Sequence, residues 1–167
     1  MPELVERVDE TDRVLGVVPR AEAVARGWTT RIATTVCRDE RGRYLVYRRP
    51  DDAPWFPGRY EVSFGGAVQP GEPYAVAAAR ELTEELGLTV PVRYLFKYLV
   101  HGAMGTYWLG VHEALIDVAP TPSPVEIAWH GWMTATELHD AVQRLPFIPD
   151  GQDAWRRYRA HVGETRD

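Results

Sequence analysis

Cysteine is nearly absent: Cys37 is the one cysteine among 167 residues. A lone thiol excludes an internal disulfide and any zinc site built on cysteine. Long apolar runs are missing too, and no segment reaches the length of a membrane span. The opening stretch MPELVERVDE is charged and lacks the apolar centre of a signal peptide, so a reducing cytoplasm is the expected setting. There is no excess of basic residues. Nineteen Lys and Arg against 24 Asp and Glu give a formal net charge of −5, which argues against a nucleic-acid backbone or an anionic membrane as partner. No repeat, linker or low-complexity tract interrupts the chain. What remains is 45% hydrophobic residues, enough to bury one core, and residues 1–167 read as a single domain.

Taken in order, residues 1–28 form an N-terminal hairpin extension. Strands Leu4–Val8 and Val14–Val18 flank the polar turn Asp9–Asp12, and a brief helix is opened by Pro19 and ended by Gly27. Residues 29–143 read as the core. Arg31–Arg38 and Arg43–Arg49 are expected to pair as a hairpin across a charged turn. Asp51–Arg59 is a loop, and Tyr60–Gly65 a strand. Further on, Val90–Val100, Tyr107–Asp117 and Trp129–Met133 read as strands, and Pro120–Pro124 as an irregular loop. Thr134–Val142 is a helix with Thr134 as N-cap and Glu137 completing a capping box. A last helix occupies roughly residues 148–163, with Trp155, Tyr158 and Val162 at helical spacing. Mixed strands with few helices suit an α+β sandwich.

The most informative stretch is GAVQPGEPYAVAAARELTEELGL, Gly66–Leu88. Pro73 suits a first helical position, where a missing N–H costs nothing, and Gly87 suits a left-handed helix end. On a helical wheel Ala75, Ala79, Leu82 and Leu86 fall on one side, and Glu81, Glu84 and Glu85 on the other, expected outer, face. Glutamates at that spacing repel one another. Two readings are open from spacing alone: a solvated acidic face, or a cluster of oxygen ligands for a hard divalent cation such as Mg²⁺ or Mn²⁺.

The whole string resembles the Nudix box, G-x5-E-x7-R-E-U-x-E-E-x-G-U with U apolar, at Gly66, Glu72, Arg80, Glu81, Leu82, Glu84, Glu85, Gly87 and Leu88. By this resemblance the chain is identified as a Nudix hydrolase with an α/β/α sandwich, a mixed sheet and an extra N-terminal β-hairpin. The resemblance implies a pyrophosphohydrolase that uses Mg²⁺ or Mn²⁺ and cleaves a diphosphate bond in a nucleoside diphosphate linked to another moiety. It implies Glu81, Glu84 and Glu85 as metal ligands and catalytic groups, and Gly65 as donor of a carbonyl to the metal. Gly66, Glu72 and Arg80 are supporting residues. A further carboxylate from outside the box is expected. Glu126, shortly before a Trp-containing strand, is the favoured candidate, with Glu113, His101 and His112 as alternatives.

Four residues near the expected site suit a substrate. Arg48 and Arg49 can clamp a phosphate bidentately or be surface charge. Trp55 and Phe56 can stack on a flat group or pack their own loop down. The segment VDETDRVLGVVPRAE is similar to a Nudix subgroup related to isopentenyl-diphosphate isomerase, so an isomerase is one alternative. Its catalytic cysteine would fall at Gly65, and Cys37 lies one hairpin too early. A non-catalytic nucleotide-binding module is the other alternative. A small molecule is the expected partner, and the protein can be a monomer or a homodimer.

Overall fold

The computed structural model describes residues 1–163. Strands β1 (Leu4–Val8) and β2 (Val14–Pro19) form an antiparallel hairpin, and α1 (Arg20–Arg26) follows, closed by Gly27 at φ 67°. The hairpin is a two-stranded sheet of its own. Its turn is pinned to the rest of the protein by Asp12, whose carboxylate accepts from Arg31 Nε (2.6 Å), Lys97 Nζ (2.6 Å) and the Tyr74 hydroxyl (2.8 Å). Glu6 of β1 accepts the Gly71 N–H at 3.1 Å, so the extension also touches the loop that leads into the acidic helix.

The main sheet is centred on β3 (Thr30–Arg38). It pairs in parallel with β8 (Gly105–Leu115) and antiparallel with β6 (Ser63–Ala67), so the sheet is mixed. β7 (Arg93–Gly102) extends it beyond β8. This strand starts later than the sequence pattern suggests. Pro91 cannot donate to a ladder, and Val90 and Val92 pack into the core instead.

Two expectations change at the other edge. β4 (Tyr44–Arg48) meets β3 only at Tyr44↔Arg38, then diverges to pair with β9 (Trp129–Met133). The expected strand Tyr60–Gly65 is two strands: β5 (Tyr60–Glu61) pairs with β4, whereas β6 pairs with β3. At the break the Glu61 carboxylate accepts the Val62 and Ser63 N–H groups at 2.8 and 3.4 Å, a local side-chain substitute for the ladder.

Side chains alternate across the strands. Cys37, Leu45 and Phe64 face one layer with Leu82 and Leu86 of α2 (Tyr74–Leu86). Val36, Val46 and Val62 face the other, with Leu138 of α3 (Ala135–Arg144) and Trp155 and Tyr158 of α4 (Pro149–Val162). The result is an α/β/α sandwich. No helix of the described residues is long and apolar enough to cross a membrane.

Candidate functional site

Helix α2 is punctuated close to expectation, with Pro73 as N-cap rather than first helical residue and Gly87 as a left-handed C-cap at φ 64°. Its faces differ from the helical wheel. Ala77, Ala78, Leu82 and Leu86 are buried, and so is Glu85. The glutamates therefore do not share an outer face. They are graded from inside to outside: Glu85 is buried, the Glu81 side chain is 12% exposed and that of Glu84 56% exposed. The cause is the returning 120–127 loop, which seals the last turn. Thr121 N donates to Leu86 O (2.7 Å) and Ser123 N to Glu85 O (2.8 Å).

Strand β6 brings Gly66 against this helix. A Cβ at Gly66 would stand 2.6 Å from Glu81 Oε1, so the bare backbone is what lets that carboxylate lie against the strand. Arg80 is the hub of the acidic set. Its Nε and Nη2 donate to the two oxygens of Glu72 at 2.8 and 2.9 Å, and its Nη1 reaches Glu81 at 2.9 Å and Glu84 at 3.3 Å. Nη2 also donates to Ala67 O at 3.1 Å, tying helix to strand. This fork holds the Glu72 carboxyl below the ordinary range.

The opposite holds deeper in. Burial raises the Glu81 pKa against the pull of Arg80, and Glu84 and Glu126 add to the rise. Glu85 is pushed well up by burial, then by Glu126 and Glu81, with Arg49 opposing. Glu126, on the 120–127 loop, thus bears on Glu81 and Glu85 through its charge. Glu113 does not. It is buried against α4, accepts the Tyr158 hydroxyl at 3.0 Å and is paired with Arg93. His112 is buried with Nδ1 3.0 Å from Thr34 O, and His101 Nδ1 lies 3.4 Å from the Thr106 hydroxyl.

The two arginines part company. Arg48 is ion-paired to Asp51, whereas Arg49 donates to Trp55 O at 2.7 Å and lines a cavity of about 710 Å³. Trp55, 51% exposed, and Phe56, at φ 46°, stand on the same cavity, and so do Gly65 and Gly66. The cavity also holds a residue that the sequence reading passed over. Glu61 is 7% exposed and lines it together with Asp150. Burial lifts the Glu61 carboxyl to about 7, opposed by its backbone hydrogen bonds and reinforced by Asp150. Alternation gives no signal for it: Glu61 is opposite Tyr47 and Ser63 opposite Val36, which face different layers, so the period is broken at Val62.

All the donors around α2 are hard oxygens, the chemistry that suits Mg²⁺ or Mn²⁺. Buried Glu85, with the charges of Glu126 and Glu81 acting on it, is the arrangement a divalent cation would relieve. Among the described residues no three such groups converge into a finished cation cage, and Arg80 supplies the positive charge.

Comparison with known proteins gives a consistent picture. The NUDIX domain family matches residues 28–152. An uncharacterized Nudix hydrolase of Streptomyces coelicolor is 41% identical over 166 residues, 98% of this chain and 92% of that protein. A prenyl-diphosphate phosphatase of Methanosarcina mazei is 36% identical over 147 residues, 86% of each. An isopentenyl-diphosphate Delta-isomerase of Streptomyces griseus is 31% identical over 152 residues, 86% of this chain and 77% of that protein. The crystal structure of DR0079 from Deinococcus radiodurans superposes with a TM-score of 0.81 at 29% identity, covering 93% of this chain and 98% of that one.

Proposed function

The chain belongs to the Nudix family, and from that premise we propose that it hydrolyses a diphosphate bond in a nucleoside diphosphate linked to another moiety, using Mg²⁺ or Mn²⁺. The observation that carries the reading is the pair of glutamates held inside α2: Glu85 is buried with the charges of Glu126 and Glu81 acting on it, and the Glu81 carboxylate lies against Gly66, which lines the cavity. Glu81, Glu84 and Glu85 would hold the cation, with the Gly65 carbonyl and Glu126 as further donors. When bound, the cation neutralises phosphoryl oxygens and acidifies water. Glu81, drawn between Arg80 and the buried interior, positions and deprotonates the attacking water. Glu72 and Arg80 brace that set. Arg49 offers charge to the substrate, and Trp55 and Phe56 offer flat apolar surface.

Two features weigh against an isomerase. The position its cysteine would need is Gly65, where a Cβ would stand 1.9 Å from Ala33 O. Cys37 is fully buried in the α2-side core, where burial raises its pKa, so it is not a reactive thiol. A second substrate reading, a prenyl diphosphate, is favoured by the apolar wall of the cavity formed by Val24, Trp28, Met104 and Leu109.

The test is a metal-titrated assay of the full chain on a panel of nucleoside diphosphate derivatives and prenyl diphosphates. Release of phosphate or nucleoside monophosphate that needs Mg²⁺ or Mn²⁺ and disappears in Glu84→Gln is expected. Isomerisation of isopentenyl diphosphate without phosphate release, or ligand binding without turnover under either metal, would overturn the proposal.

A further inference from the structure

None of the roles above uses Glu61, although it is buried and lies on the same cavity as Gly65 and Gly66. Its position is built from several directions. Oε1 accepts both Val62 N–H and Ser63 N–H, so those two donors leave Oε2 unused. The start of α4 is tied to β5 by Tyr60 N to Pro146 O and Ile148 N to Tyr60 O, both 3.0 Å. Gly151 then lets the first turn of α4 close over the carboxyl, since a Cβ there would stand 2.3 and 2.4 Å from its two oxygens. The neighbouring Asp150 accepts the Tyr107 hydroxyl at 2.7 Å, and Asp150 and Tyr107 line the same cavity.

The chemistry of these two carboxyls narrows what can lie against them. Phosphate is repelled. An isoprenoid chain would strip them of water and return no hydrogen bond. A ring that presents N–H donors satisfies them, and Glu or Asp accepting from an exocyclic amine is a recurrent pairing in base recognition. A keto oxygen at the same place would meet only lone pairs once both carboxyls are ionised, which for Glu61 is above about pH 7. We propose that Glu61, with Asp150, is the specificity-determining pair that reads an exocyclic amino group on the base of the substrate. This rests on the hydrolase reading and names the substrate class for that site.

The test uses amino and keto partners that share ribose and diphosphate: cytidine against uridine diphosphate, and adenosine against inosine diphosphate. At about pH 8, where Glu61 is ionised, wild-type protein should prefer the amino member by about 10- to 100-fold in kcat/KM. Glu61→Gln, whose amide can donate to a keto oxygen, should collapse that ratio, and Asp150→Asn should narrow it. Calorimetric binding of the four free nucleosides gives a readout independent of turnover. Equal treatment of both partners by the wild type, or an unchanged ratio in Glu61→Gln, would refute the assignment while leaving the hydrolase reading intact. Amino-selective binding that depends on Glu61, with no hydrolysis of any diphosphate, would support the assignment and sink the hydrolase reading.

Discussion

Gly65 of β6 and Ala33 of β3 approach so closely that a Cβ on Gly65 would stand 1.9 Å from the Ala33 carbonyl oxygen and 2.7 Å from the Thr34 Cα. Both obstacles are backbone, which cannot swing aside as a side chain can. Gly65→Cys should therefore destabilise the protein by about 2 kcal/mol or more, and it should confer no isomerase activity. Urea unfolding and an isopentenyl-diphosphate assay check the two halves. Wild-type stability in the variant would show that the strand pair yields.

Arg80 and Glu72 form a two-point fork, and Lys cannot reproduce it. If Glu81, Glu84 and Glu85 hold the cation as proposed, Arg80→Lys should lower kcat/KM by about 10- to 100-fold and raise the metal requirement, because the side chain that braces them is lost. Metal titration of hydrolysis measures this. An Arg80→Lys protein with wild-type kinetics would remove Arg80 from the supporting set.

Asp12 anchors the N-terminal hairpin through Arg31, Lys97 and Tyr74, and its side chain is 1% exposed. Asp12→Asn should cost about 1–2 kcal/mol at neutral pH, because half-buried Arg31 loses its shortest carboxylate contact and keeps only that of Glu6, while Lys97 is exposed enough for water to offset its loss. Burial disfavours the Asp12 charge, yet the hydrogen bonds from Lys97, Arg31 and Tyr74 outweigh it and hold the pKa below 3.8. A depressed carboxyl stabilises the fold above its unfolded pKa, and that stabilisation is lost as pH falls through the folded value. The gap between wild type and Asp12→Asn should accordingly shrink in acid. A pH-independent gap in denaturant midpoint would contradict it.

Glu61 has the opposite sign. Its folded pKa is raised from 4.5 to about 7, so the folded state holds the proton more tightly than the unfolded chain. Stability then falls as pH rises between those values, by about 3 kcal/mol in total. In metal-free protein Glu61→Gln should melt several degrees above wild type at about pH 8 and close to it at about pH 4.5. Parallel melting curves at both pH values would show that Glu61 is ionised without cost.

Legibility in the sequence follows how local each feature is. Pro73 and Gly87 bound α2, Thr134 caps α3 through the Glu137 N–H at 3.1 Å, and β9 spans Trp129–Met133 as its alternation suggests. The box residues are contiguous enough for a motif to name them. The depth of Glu85 was not legible, because a helical wheel assumes one partner surface, whereas α2 is covered by the sheet and by the 120–127 loop. The separation of Arg48 from Arg49 followed from Asp51 and Trp55, which claim one arginine each.

By itself the sequence determined the acidic helix, its punctuation, the alternating strands and the carboxylate chemistry at residues 66–88, since these depend on periodicity and on hydrogen bonds within a few residues. Only the tertiary structure decided which carboxylates share a site. It brought the charge of Glu126 to bear on Glu85, gave Glu113 to Tyr158 and Arg93, and closed Gly151 over Glu61. Each of these juxtapositions joins residues from separate elements, and packing of the two helical layers on one twisted sheet brings them together.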